Sequence, residues 1–265
     1  MVRRLRDGDV SAVALARSAG VHGVYLQNAL ALGWVDGMVF ELRGAVALVA
    51  WFGPRGNLVL VSTPAIEGRE DEVAREIVRR KHVWRIALGA GGLIDSLACH
   101  VGRSVLAHRD QVYYVGGLSD ARSSLVRDDV RAPEPGDRDR LARATLALNA
   151  SDLNIAPERV DRRWLKRIID ERVRDGSTRV LGPVGELWSK LDFGSMGPGG
   201  CVFEGVYTFP DQRGRGVAAS LVASCMAAAD LETSLHVAEG NHAARRCYEH
   251  AGMRESGRCR LLLLA

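Results

Sequence analysis

The run Gly205-Val-Tyr-Thr-Phe-Pro-Asp-Gln-Arg-Gly-Arg-Gly-Val-Ala-Ala-Ser-Leu constrains this chain most. An apolar strand enters a turn marked by Pro210 and Asp211, passes through a glycine loop and opens a helix. A strand that feeds a helix in this way belongs to a layered α/β design. It is also a natural anion site. The first-turn amides of a helix have no intrahelical acceptor, and the helix dipole adds partial positive charge. Gly214 and Gly216 permit close backbone approach, and Arg213 and Arg215 add charge. The loop is not GxxxxGK[ST], because no lysine follows the glycines, and not GxGxxG, because Ala219 stands at the third glycine. Taken alone, an ordinary strand-to-helix turn is the better explanation of it.

The rest of the chain alternates in the same manner. In the first half, periodicity predicts helices over 10–19, 21–32, 70–81 and 93–101. It predicts strands over 38–42, 45–52, 57–62 and 84–88 and a strand pair over 104–115. In the second half it predicts helices over 138–148, 162–173, 216–229 and 241–251. Strands are expected over 178–181, 185–191, 200–209, 234–238 and 254–264. A charged stretch with Pro133, Pro135 and Gly136 interrupts the pattern and reads as a linker over 127–136. The expectation is an α/β (α+β) chain of two domains, 1–126 and 137–265. Each is a mostly antiparallel mixed sheet flanked by helices.

Composition removes several alternatives. Over 265 residues, 47% are hydrophobic and 26% charged, the balance of a globular protein. The apolar run over 45–52 is too short to span a bilayer. Basic residues near Met1 are followed by Asp7 and Asp9 and not by an apolar signal core, so a cytoplasmic location without a membrane partner is expected. A net charge of +4 is weak support for nucleic acid, even with only Lys81, Lys166 and Lys190 as lysines among 36 basic residues. Five cysteines, none in CxxC spacing, give no reason to expect a metal centre or disulfide framework.

A second stretch follows the glycine loop by one helix and one strand. In Asn241-His-Ala-Ala-Arg-Arg-Cys-Tyr-Glu-His-Ala-Gly-Met, Asn241 is a good helix N-cap and Gly252 a left-handed stop. Ala244 and Tyr248 lie one turn apart on one face. As residues alone, they also describe an ordinary core helix.

Together, the loop Arg213-Gly-Arg-Gly-Val-Ala and the Asn241–Met253 stretch resemble the GNAT superfamily of acyl-CoA-dependent N-acyltransferases. The family pattern is [RQ]xxGx[GA], followed by NxxAxxxYxxxGF, with Met253 here for the usual Phe. The whole chain resembles a two-part bacterial subgroup with a degenerate GNAT-like N-terminal domain, although the first half shows no second [RQ]xxGx[GA] loop.

The resemblance implies acetyl-CoA as co-substrate, direct transfer to a primary amine in a ternary complex, and no metal. It implies that the backbone of Val206, Tyr207 and Thr208 pairs with the pantetheine arm. Gly205 would mark the family's strand bulge, whose amide faces the thioester oxygen. Arg213, Gly214, Arg215, Gly216, Val217, Ala218 and Ala219 would wrap the pyrophosphate, and Asn241 would contact the pantetheine end. Tyr248 is the candidate general acid for the leaving thiolate. His236 is the candidate base, with Glu204 as its rival and a water chain as a third option. The acceptor would be an amine-bearing small molecule or a peptide or protein amine, and self-association as a homodimer is left open. A non-catalytic acyl-CoA-binding or partner-binding module is the alternative.

Overall fold

The structure, a computed structural model, describes residues 1–80 and 82–265. The chain forms two compact units. The first comprises Met1–Tyr113, Met196–Gly200 and Ser256–Ala265; the second comprises Tyr114–Ser195 and Cys201–Glu255. The elements in chain order are β1 (Val2–Arg4), α1 (Val10–Ser18), α2 (Val24–Ala31), β2 (Gly37–Leu42), β3 (Ala45–Phe52) and β4 (Asn57–Ser62). Next come α3 (Glu70–Arg79), β5 (Ile86–Gly89), α4 (Gly91–His100) and β6 (Val105–Gly116). Then follow α5 (Arg138–Leu153), α6 (Arg162–Asp175), β7 (Thr178–Leu181), β8 (Ser189–Gly197), β9 (Gly200–Thr208) and α7 (Val217–Ala228). The chain closes with β10 (Thr233–Ala238), α8 (His242–Ala251) and β11 (Arg254–Leu264).

In the first unit the strand order is β1-β2-β3-β4-β5-β11-β6. The neighbours are antiparallel from β1 to β4, β4 and β5 are parallel, and β5 and β11 are antiparallel. The period-2 alternation sorts side chains to two cores. Val39, Val49, Trp51, Val59 and Val61 pack with Ala12, Leu15, Leu26 and Ala29 of α1 and α2. Phe40, Leu48, Ala50, Leu58 and Leu60 pack with Val73, Ile77, Ile94 and Leu97 of α3 and α4. A strand covered on both faces reads as a continuous apolar run, and β3 shows it.

In the second unit β10, β9, β8 and β7 follow the end of β6 in that order. Leu141, Ala144 and Ile169 of α5 and α6 close a core with Val180, Leu187 and Phe209. The central part of α7 is buried around its circumference, which matches its nearly all-apolar sequence.

Several boundaries differ from the sequence expectation. The expected strand pair over 104–115 is one twelve-residue strand, β6, because no Gly or Pro interrupts it before Gly116. The strand expected over 185–191 begins at Ser189; Pro183 and Gly185 (φ +79°) hold the preceding residues in a turn. The helix expected over 70–81 ends at Arg79, and its expected last residue, Lys81, lies outside the described residues.

The stretch read as a linker over 127–136 is part of the second unit. Arg131 bridges Val180 as a short β partner, and its guanidinium lies 2.7 Å from the fully buried carboxylate of Asp137. The last strand, expected in the second domain, pairs with β5 of the first unit through Arg260–Leu263. Leu262 and Leu264 are fully buried there.

Candidate functional site

The glycine loop opens α7 as its sequence suggests. A short 3-10 turn, Pro210–Gln212, ends β9. Gly214 (φ +76°) and Gly216 (φ +75°) then adopt left-handed backbone, which L side chains rarely enter. A Cβ on either would meet nothing within 4 Å, so both face open space. Gly216 is the N-cap of α7, and no side chain caps that end. An uncapped helix start beside bare glycines suits a phosphate group, so the residues present fit the pyrophosphate of a coenzyme A.

The arginines of the loop divide their work. Arg213 donates from Nε to the Thr208 carbonyl (3.1 Å) and lies 5.8 Å over the Tyr207 ring, tying the loop to the strand. Arg215 is exposed; the Gln212 side chain is the main group holding the Asp211 carboxyl below its usual pKa, with small contributions from Arg140 and Arg215.

Beside this loop the sheet opens. β9 and β10 pair in parallel only at Cys201–Thr233 and Val202–Ser234, although β9 continues to Thr208 and β10 to Ala238. Gly205 (φ +53°) breaks the extended backbone just beyond. The Phe209 amide donates to Trp188 and the Tyr207 carbonyl accepts from Ser189 Oγ, so these two residues turn their main chain toward β8. By alternation Val206 and Thr208 turn theirs toward the β10 side. The Thr208 carbonyl accepts from Arg213 Nε and so is engaged within the loop.

A cavity of about 250 Å³ lies next to Gly205, lined by Asn149, Asp152, Arg172, Lys190, Asp192 and Glu204 among others. It holds a dense charge network. Asp192 accepts from Lys190 Nζ, from Arg172 (2.9 Å) and from Thr178 Oγ1 (2.7 Å). Arg172 is fixed in turn on Thr145 Oγ1 (2.9 Å). Burial lowers the Lys190 amine below the usual lysine value, Asp192 and Glu204 oppose this, and Arg172 adds to it.

Tyr248 is buried on α8, with its ring 5.9 Å from that of Tyr114. Burial raises its phenol well above the ordinary tyrosine value, and the charges of Cys247 and of the cavity residue Asp152 act in the same direction. It therefore stays protonated near neutral pH, the state a proton donor requires. Tyr114 is itself held by Glu249 (2.7 Å) and Arg245 (3.1 Å). Asn241 accepts from the Ala244 amide (3.1 Å) and caps α8, so its carbonyl oxygen is engaged within the protein. His236 is half-buried on β10. Of the two candidate bases Glu204 lines the cavity and His236 does not. Val217 and Ala219 are buried in the first turn of α7, where only their backbone is presented to the loop.

Sequence reading missed Lys190, Asp192, Arg172 and Thr178. One signal was available: two charged residues, two apart, inside an otherwise apolar strand must be paired if they are to be buried. Among the described residues no group of three His, Cys, Asp or Glu side chains could hold a metal ion, and no helix is long and apolar enough to cross a membrane.

A model of the acetyltransferase (GNAT) family matches residues 162–253, which contain the cavity's strand residues, the loop and α8. No curated protein matches the chain. Among solved structures, a GCN5-related N-acetyltransferase from Sphaerobacter thermophilus aligns at TM-score 0.57 and 17% identity, covering 99% of this chain and 94% of that chain. An acetyltransferase of the GNAT family from Colwellia psychrerythraea aligns at TM-score 0.52 and 11% identity, over 100% and 99%. A tandem GNAT protein from the clavulanic acid biosynthesis pathway aligns at TM-score 0.51 and 16% identity, over 99% and 97%. At these identities the likeness is one of fold: the mixed α/β sheet with flanking helices is consistent with a tandem GNAT-like fold.

Proposed function

We propose that the second unit is an acetyl-CoA-dependent N-acetyltransferase that acts on a primary amine. The observation that carries this reading is the uncapped start of α7 behind Gly214 and Gly216, set beside the strand edge where β9 and β10 part. Acetyl-CoA would supply an activated acyl group with a thiolate as leaving group. The remaining roles fall to residues of the chain. Backbone amides from Gly214 to Ala219 offer donors to phosphate, and Val206 offers its main chain to the pantetheine arm.

Tyr248 holds a proton at its phenol oxygen at neutral pH and is the residue to give it to the leaving sulfur. The acceptor ammonium must lose a proton before it can attack, since an alkyl amine has a pKa of about 10. Glu204 is favoured over His236 for receiving that proton, directly or through water, because it alone of the two faces the cavity. The cavity is lined by three carboxylates, those of Asp152, Asp192 and Glu204, against two cations, which suits a cationic acceptor.

The test joins binding to chemistry. Calorimetry with coenzyme A and acetyl-CoA should give saturable binding, and free thiol should be released from acetyl-CoA when a panel of small amines and peptides is added. Binding without thiol release for any amine would favour a non-catalytic acyl-CoA-binding module. Absence of binding would remove the reading altogether.

A further inference from the structure

The strongest unexplained feature is the buried Lys190. Its side chain has no exposed surface to speak of, yet it is an ammonium-bearing group in a strand. A chain of partners keeps it in place. Asp192 holds the Nζ; Arg172 and Thr178 hold Asp192; and Thr145 holds Arg172. Burying such a pair is costly and does not stabilise a fold more than an apolar pair would. A network of this kind needs a reason other than stability.

Its position supplies one. A Cβ placed on Gly205 would lie 2.6 Å from Asp192 Oδ2 and 2.9 Å from Lys190 Nζ. The pair therefore fills the space that a side chain at residue 205 would occupy. Gly205 is the left-handed residue at which β9 leaves its regular course, next to the point where its pairing with β10 stops. The ammonium and carboxylate thus lie against Gly205 on its side-chain face.

We propose that Lys190 and Asp192 are positioning residues of the transfer site: their ion pair seats the Gly205 bulge and keeps its backbone amide aimed at the acyl oxygen of the bound thioester. This rests on the acetyltransferase reading. Arg172 takes part by sharing Asp192, so that one carboxylate aligns two cations. Burial lowers the proton affinity of Lys190, and the Asp192 carboxylate is the main group opposing that loss of charge.

The acyl oxygen is present in acetyl-CoA and absent from coenzyme A, so the ratio of the two affinities reads the bulge without any turnover. Lys190→Met keeps the length of the side chain and removes the charge. It should weaken acetyl-CoA roughly tenfold, the scale of one lost charge-assisted interaction, and change coenzyme A by less than about twofold. With an accepted amine, kcat of the folded variant should fall about a hundredfold, the scale of a misplaced reacting group. Asp192→Asn should shift the same ratio in the same direction, and it decides the matter if Lys190→Met does not fold. An unchanged ratio in the folded variant, or an equal loss of both ligands, overturns the inference while leaving the acetyltransferase reading intact. Wild-type protein that binds neither ligand overturns both.

Discussion

Two corners of this molecule use the same backbone device and fill it oppositely. In the first unit β4 ends in the 3-10 turn Pro64–Ile66, Gly68 turns left-handed (φ +78°), and α3 begins. In the second unit β9 ends in the turn Pro210–Gln212, Gly214 turns left-handed, and α7 begins. With the prolines superimposed in sequence, Glu67 stands where Arg213 does and Glu70 where Gly216 does. Neither helix has a side-chain cap. Yet α3 carries Glu70, Asp71 and Glu72 in its first turn, and α7 carries no acid there.

Carboxylates at a helix start satisfy the dipole from within the chain. An empty start leaves that field for a ligand. The next corner repeats the contrast. Asn241 caps α8 and Tyr248 lies seven residues on, whereas Ala90 starts α4 and the core residue Leu97 lies seven residues on. The proposed anion site and proton donor are thus substitutions on a repeated frame, and of these two corners only the second unit's has the acid-free helix start and the tyrosine.

The largest way to break this contrast is to remove the phenol. Tyr248→Phe keeps the ring against Tyr114 and deletes the proton. Turnover should fall about a hundred- to ten-thousand-fold, as for loss of a general acid, with coenzyme A affinity nearly unchanged. Turnover that stays near normal while chemistry limits the rate would mean that solvent protonates the leaving sulfur.

A second change converts one corner into the other. Gly216→Glu places a carboxylate where Glu70 sits in the first unit and forces a side chain into left-handed backbone. Coenzyme A affinity should drop about ten- to a hundredfold, from like-charge repulsion and backbone strain together. Calorimetry on the wild type should give one coenzyme per chain. Two sites of similar affinity would show that the acidic start of α3 does not exclude the ligand.

The layered class of the fold and the glycine loop were legible because both are local: apolar periodicity marks the strands, and left-handed turns demand glycine. The bridge of Arg131 to Val180 was not legible. Arg131 makes a single β bridge in a run of charges and prolines that reads as solvent-exposed linker, and only the ion pair to a carboxylate six residues on gives it a place. The same spacing recurs at the start of the chain, where Arg3 of β1 meets Asp9 at 2.5 Å. The placement of β11 was equally hidden, since pairing with β5 is a contact far away in sequence. The Lys190 network was missed because burial of a lysine is decided by partners on other elements.

That repeated Arg–Asp pair gives a third test, in stability. Asp137 is fully buried and accepts from Arg131 and from the amides of Glu134 (2.8 Å) and Gly185 (2.9 Å). Burial alone would raise its pKa; Arg131 and the two amides outweigh that and hold it below the ordinary carboxylate value. Its contribution is therefore complete above the unfolded value of about 3.9 and is lost as pH falls through the lower folded value. Asp137→Asn should cost about 3 kcal/mol in denaturant unfolding at neutral pH. Asp9→Asn should cost about 1 kcal/mol, since Asp9 retains some exposure and its cap to the Ala12 amide survives in part. Equal losses would mean that the two pairs are equivalent and that the second is no more deeply built in.

The smallest effect belongs to the acidic start of α3. Glu70 lies at the first helical position, so its charge acts on the dipole without a second role in the site. Glu70→Gln keeps the shape and removes the charge. The first unit should lose about 0.3–1 kcal/mol at low ionic strength, the usual size of a dipole interaction in the first turn. Salt should shrink the difference, because Glu70 is only half-buried and a charge that reaches solvent is screened within about 10 Å at 0.1 M. A melting temperature that falls in the variant at low salt and converges with wild type in 1 M salt would show that α3 completes itself electrostatically. No difference at either salt would mean that Asp71 and Glu72 already saturate the helix start. The acidic substitution at residue 70 would then matter only as an obstacle to phosphate.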